Sequence, residues 1–166
     1  CGRCRYCLEG TYNLCTDMKY FGSAARVPHV DGCFREFVPA LAERCHLIPE
    51  GLSWGEAALL EPLSVALQAA SRAGNMAGKR VLISGAGPIG QLVGLVTRHH
   101  GAERIVATDV RQGALEMASE LWADHAVLAD SKDDMDAVAK LCDGFDIVIE
   151  ASGAAQALRS AYERCN

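Results

Sequence analysis

Cys1, Cys4, Cys7 and Cys15 follow one another in the pattern C-x2-C-x2-C-x7-C. Spacing this tight forces turns, and thiolates brought together by turns can saturate a tetrahedral Zn(II), which favours sulfur. A site closed by four thiolates keeps no position for water, so its expected role is structural. An iron–sulfur cluster is the rival reading. The bacterial ferredoxin run, however, has a shorter last gap and a proline after its fourth cysteine, whereas Thr16 follows Cys15 here. Unrelated reduced thiols remain a third reading. Cys33, Cys45, Cys142 and Cys165 are scattered among apolar neighbours, and are expected to be ordinary buried or half-buried thiols.

A second candidate is a lone carboxylate. Glu61 is the only charge between Glu56 and Arg72. Among so many small apolar residues, a carboxylate is costly unless it is paired, protonated or beside a metal. Pro62 follows it, and the residue before a proline is pushed out of the α region. The apolar helix opened by a Ser53/Glu56 capping box is therefore expected to break at Glu61. It should restart with Pro62 as its first residue, which leaves the carboxylate at a helix N-terminus. On the residues alone, a simple cap stabilised by the helix dipole competes with a catalytic role.

The third is a glycine turn, Gly85-Ala86-Gly87-Pro88-Ile89-Gly90, lying between an apolar strand, Val81 to Ser84, and a helix running to about His99 and ended by Gly101. A second strand, Ile105 to Thr108, ends at Asp109, close to the roughly 20 residues at which a ribose-binding acid is expected. In this setting Gly85 permits the tight turn, Gly87 lets the backbone approach a pyrophosphate, and Gly90 allows close helix–strand packing. Pro88 and Ile89 open the helix, whose N-terminus offers N–H groups and a positive dipole end. Asp109 would accept hydrogen bonds from the ribose and repel a 2′-phosphate, favouring NAD over NADP. Arg111, two residues on, could stack on adenine or tolerate that phosphate, although a solvent-facing arginine is the commoner fate.

The elements needed to hold these groups alternate. Helices are expected over about 112–121, 133–141 and from 154, with strands His125 to Leu128 and Phe145 to Ile149 between them. This is βαβ repetition, hence an α/β fold with a parallel sheet covered by helices on both faces. Four strands amount to the first half of a dinucleotide fold and one further strand. Glu150-Ala151-Ser152-Gly153 follows the fourth strand at its carboxyl end, so the backbone at Ser152 and Gly153 is expected near the cofactor. Residues 16–52, with mixed period, two prolines and a Pro49-Glu50-Gly51 turn, read as β-rich with loops.

Composition excludes several classes. The chain is 50% hydrophobic and 22% charged, with a net charge of −5, which argues for a packed core and against disorder. No Lys/Arg cluster could follow a phosphate backbone, so nucleic acid is not an expected partner. No apolar run approaches the ~20 residues that span a bilayer, and no signal peptide is evident. A membrane partner is thus not expected, and the cytoplasm is the default compartment. The start at Cys1 without a Met and the stop at Asn166 read as the ends of an internal fragment.

A four-cysteine lobe, a linking helix with Glu-Pro at its break and a GAGPIG turn, in that order, resemble the zinc-dependent medium-chain alcohol and polyol dehydrogenases. The resemblance covers the whole chain. The stretch from Cys15 to Ala25, continued from Pro28 to Gly32, is most similar to a branch acting on a sugar acid. It implies a partial GroES-like catalytic domain with the zinc lobe over 1–70 and a partial Rossmann NAD(P)-binding domain over 71–166. Cys1, Cys4, Cys7 and Cys15 would hold a structural zinc. Glu61 would lie beside a catalytic zinc, directly or through its water. Phe21 would line the substrate pocket, the alternative being a loop core residue.

The activity implied is oxidation of a secondary alcohol of a sugar acid or polyol with NAD, NADP being possible, in a homodimer or homotetramer. Zinc would lower the pKa of the bound hydroxyl. The family's other catalytic-zinc ligands, a Cys and a His-Glu pair, lie upstream of the position of Cys1, so this chain alone is expected to be inactive. A basic residue usual a few positions after the ribose acid is Ala114 here, leaving Arg111 to substitute or the adenine contacts to differ. A sugar-acid carboxylate wants a cationic partner, for which Arg26 and His29 are candidates, a solvated loop face being the alternative. Sorbitol-, xylitol- or threonine-type enzymes and a non-catalytic dinucleotide binder remain the rival readings.

Overall fold

The structure, a computed structural model, describes residues 1–25, 27–129, 136–138, 141 and 144–164. The chain divides into two compact units, Cys1–Pro49 and Glu50–Asn166.

The first unit is built on turns. A short helix α1, Arg5–Leu8, and single 3-10 turns at Tyr12–Leu14 and Ala42–Arg44 are its regular elements. The β-rich expectation for 16–52 is not met, for no strand occurs among the described residues there. Strands persist when a ladder satisfies their backbone and one face is buried, and neither condition holds. Besides local turns such as Ser23 N–H to the Tyr20 carbonyl and Arg35 N–H to the Cys33 carbonyl, backbone pairing across the loop consists, among the described residues, of Gly22 N–H to the Asp31 carbonyl (3.1 Å) and Val30 N–H to the Ser23 carbonyl (3.0 Å). Phe34 and Phe37, the aromatic residues of the short run Phe34 to Val38, are exposed.

The second unit opens with the expected capping box. Ser53 Oγ accepts from Glu56 N–H at 3.2 Å, and the Glu56 carboxylate accepts from Ser53 N–H at 2.8 Å. Helix α2, Trp54–Ala58, then stops, and α3, Leu60–Ala73, begins after Leu59. The break thus falls at Leu59, two residues before the position expected. The cause is still Pro62, which has no N–H to give to the Ala58 carbonyl one turn earlier. Pro62 stands third in α3 rather than first, inside the turn whose N–H groups have no helical acceptor anyway. Glu61 is therefore in the first turn of a helix, as expected, but its side is exposed rather than sunk among apolar residues.

Strands β1 (Arg80–Ser84), β2 (Arg104–Asp109), β3 (His125–Leu128) and β4 (Ile147–Glu150) form one parallel sheet in the order β3-β2-β1-β4. Helices α4 (Pro88–His99), α5 (Gln112–Leu121) and α6 (Ala155–Arg164) lie between or after them. Strand β4 starts at Ile147 instead of Phe145, which is buried below the sheet. The helix expected over 133–141 lies mostly outside the described residues, of which 136–138 are helical.

Alternation along β1 explains the layering. Val81 and Ile83 pack with Ala66, Ala70, Val93, Val96, Leu115 and Trp122 on one face, while Leu82 packs with Val106, Val138 and Phe145 on the other. Both faces are covered, which is why the strands are nearly continuous in apolar residues. With β2 on one side of β1 and β4 on the other, the chain order reverses at β1. Sheets of this kind bind ligands outside the carboxyl ends at such a reversal.

Candidate functional site

In the first unit, α1 and the turns after it converge the four early cysteines. Their sulfur atoms all lie within 4.8 Å of one another, and Cys1 Sγ to Cys7 Sγ is 3.9 Å. A zinc–sulfur bond of ~2.3 Å sets a tetrahedral edge of about 3.8 Å, so the donor set fits the metal in both number and size. The backbone is arranged for thiolates. N–H groups of Cys7 and Thr16 pull the Cys4 thiol down to about 6, and Asp17 N–H donates to Cys15 Sγ at 3.3 Å. Burial pushes the Cys7 thiol up, a cost that a bound cation would offset. Cys33 and Cys45 are exposed, contrary to expectation, because the loops carrying them build no core. Cys142 and Cys165 lie outside the described residues.

In the second unit, the glycine turn closes the carboxyl end of β1. Gly85 has φ +98° and donates its N–H to the Thr108 carbonyl at 2.7 Å. A Cβ there would lie 2.5 Å from Ser152 N, so the loop after β4 touches the turn directly. A Cβ on Gly90 would overlap the Gly85 carbonyl oxygen, the close helix–strand approach expected of it. Gly87 caps α4, with Pro88 and Ile89 as the first helical residues; the early N–H groups of α4 have no helical acceptor, which suits them to an anion.

Asp109 closes the turn from β2. One carboxylate oxygen accepts from Ala86 N–H at 2.7 Å, the other from Arg111 N–H at 2.9 Å and Arg111 Nε at 3.2 Å. Burial alone would raise its pKa, but the Arg111 side chain and the two N–H groups outweigh it and hold the carboxyl below the usual aspartate value. The Asp109 side chain is 8% exposed and that of Arg111 63%. Arg111 Nη2 stands 3.4 Å from where a Gly87 Cβ would be. The guanidinium therefore lies beside the turn, largely exposed, with its outer nitrogens available.

The loop after β4 is fixed by a residue to which the sequence reading gave no role of its own. The Glu150 carboxylate accepts from Ser152 N–H (2.7 Å), Ser152 Oγ (2.5 Å) and Gly153 N–H (3.1 Å). Gln91 and Trp122, joined by a hydrogen bond of 2.7 Å, were also missed. The visible signal for Gln91 was a single amide inside an otherwise apolar helix directly after the glycine turn.

The structure thus brings Gly85, Gly87, Pro88, Ile89, Gly90, Asp109, Arg111, Ser152 and Gly153 to one end of the sheet. Glu61 is not joined to them by any hydrogen bond or ion pair among the described residues, and it lies in no cluster of metal-type ligands there. One carboxylate does not make a metal centre. Phe21, in the first unit, is 52% exposed and so is not a loop core residue. His29 lines a shallow cleft with Lys19, Val27, Pro28 and Val30, and Arg26 lies outside the described residues.

Residues 88–166 match the zinc-binding dehydrogenase family. Over 163 residues the chain is 40% identical to L-idonate 5-dehydrogenase (NAD(P)(+)) of Escherichia coli, covering 98% of this chain and 47% of that one. The crystal structure of that enzyme superposes with a TM-score of 0.89 at 41% identity, over 100% of this chain and 48% of the other. Sorbitol dehydrogenase of Bacillus subtilis is 36% identical over 97% of this chain and 45% of its own. A structure from Sinorhizobium meliloti, of the same zinc-binding type and bound to NADP, aligns with a TM-score of 0.89 at 30% identity, over 100% of this chain and 48% of that one. The chain spans about half the length of these relatives. Cysteine cluster, glycine turn and parallel sheet therefore agree with the comparisons: residues 88–166 belong to the zinc-binding dehydrogenase family, and nearly the whole chain is similar to zinc-dependent medium-chain dehydrogenases.

Proposed function

We propose that the whole protein oxidises a secondary alcohol of a sugar acid or polyol with NAD(P), and that its substrate is L-idonate, giving 5-keto-D-gluconate. The observation that carries the reading is the turn at the carboxyl ends of β1 and β4, closed by Asp109 and crossed by Arg111. The likeness to L-idonate 5-dehydrogenase over nearly all of this chain supports the substrate. NAD(P), when bound, supplies the hydride acceptor. Gly85, Gly87 and the first turn of α4, with Pro88, Ile89 and Gly90, would take its pyrophosphate. Asp109 would hold the adenosine ribose, and Ser152 and Gly153 would form the wall on the β4 side. Zinc in the four-thiol lobe would fasten the turns of the first unit. Glu61 is proposed as the acid beside a catalytic zinc, supported by its exposed place in the first turn of α3, and Phe21 as a pocket-lining aromatic. Functional domains divided near residue 70, assembly as a homodimer or homotetramer, and a place in the cytoplasm belong to the same proposal. No described helix is long and apolar enough to cross a membrane.

The test is NADH or NADPH formation by the intact protein with L-idonate, sorbitol, xylitol and L-threonine side by side. Preference for idonate is the expected result. Preference for a neutral polyol would retain the dehydrogenase and move it to the sorbitol type, a reading favoured by the identity to the Bacillus subtilis enzyme. Silence on all four with dinucleotide binding intact would make it a non-catalytic binder.

A further inference from the structure

Gln91 is 9% exposed and sits in α4 among buried Gly90, Val93, Gly94 and Val96. An amide there is costly unless all its polar atoms are matched, and they are. Nε2 donates to the Ala86 carbonyl at 3.0 Å and to the Ala114 carbonyl at 2.8 Å, while Oε1 accepts from Trp122 Nε1 at 2.7 Å. The orientation is unambiguous. Rotating the amide would set its oxygen against two carbonyls and its NH2 against an indole N–H. Trp122 is itself held firmly, for its carbonyl accepts from Arg98 Nε at 3.0 Å and its ring fills the space where a Gly94 Cβ would stand.

Ala86 lies between the two glycines that shape the turn, and both of its polar backbone atoms are taken by side chains. Asp109 accepts its N–H, and Gln91 donates to its carbonyl. A residue needed only to fill space between α4 and α5 would be apolar. The two donations to backbone carbonyls tie the turn to the start of α5 instead.

We propose that Gln91, anchored by Trp122, is a positioning residue of the dinucleotide turn: it holds the Ala86 peptide, and through it Gly85 and Gly87, in the curvature that admits a pyrophosphate. This deepens the cofactor reading above and rests on it. Gln91→Met removes all three hydrogen bonds at similar volume. Trp122→Phe removes the indole donor and part of the ring packed on Gly94, and leaves both donations to the backbone.

Two measurements on the intact protein test the idea. Amide hydrogen exchange without cofactor should rise about tenfold or more at residues 85–87 and 112–115 in Gln91→Met, with β1 and β2 unchanged. NADH binding should weaken by about tenfold, appearing in KM for the dinucleotide rather than in kcat, and Trp122→Phe should lie between that variant and the wild type. If Gln91→Met does not fold, Gln91→Asn, which keeps an amide but is one methylene too short to span both carbonyls, takes its place in the same comparison. Exchange at the turn equal to wild type, or rising uniformly with the strands, overturns the proposal, as does unchanged NADH affinity. A wild-type protein that binds no dinucleotide would instead remove the cofactor reading, while the exchange comparison still decides whether Gln91 braces the turn.

Discussion

In the proposed cofactor site, Asp109 and Arg111 would act on the same part of a dinucleotide with opposite signs. The carboxylate repels a 2′-phosphate, whereas the guanidinium bonded to it keeps outer nitrogens that could accept one. Arg111→Ala is therefore expected to weaken NADPH binding by about tenfold and NADH binding by no more than about threefold, as read by fluorescence titration. The depressed pKa of Asp109 adds a pH dependence with a definite sign. A carboxyl whose folded value lies below its unfolded value contributes stability above the unfolded value, about 3.9, and loses it as pH falls through the folded one. Thermal melts should show wild type and Asp109→Asn converging as pH is lowered from about 5 to below that range; a constant gap would contradict the assignment. The glycine turn and Asp109 were legible in the sequence because backbone geometry dictates residue type there. Glu150 and Gln91 were not, since what an amide or carboxylate bonds depends on which backbone groups the fold brings to it.

The packing of α4 against Trp122 is equally specific among elements. A Cβ on Gly94 would fall within the indole ring, so Gly94→Ala must displace Trp122 and disturb Gln91 with it. Overpacking of this kind costs about 1–3 kcal/mol, and a melting temperature lowered by about 4 °C or more is expected by calorimetry. Strands and helices of the second unit were readable from period and caps because each buries a face. The β-rich expectation for residues 16–52 fails because short apolar runs such as Phe34 to Val38 bury no face: Phe34 and Phe37 are both exposed. The break before α3 was seen but placed late. Proline acts there through the carbonyl one turn behind it as well as through the residue beside it.

On the scale of the whole molecule, the two units are held by different means. Among the described residues of the first, only Cys7 and Ser23 are buried, whereas the second has apolar layers on both sheet faces. Removal of the metal by a chelator, or Cys7→Ser, is therefore expected to expose the first unit to trypsin after Lys19 and Arg35 while residues 80–129 stay protected, as mapped by mass spectrometry. Simultaneous loss of both would contradict this division. The strand order also has a consequence in time. Ala86 meets Asp109 across 23 residues and Ile105 meets Asp124 across 19, but Arg80 meets Asp146 across 66. Closing the longest loop carries the largest entropic cost, so β1, β2 and β3 are expected to assemble before β4. On that order, a newly made chain would complete the proposed adenosine end before the wall at Ser152, and a dinucleotide caught early would act as a template for the final strand.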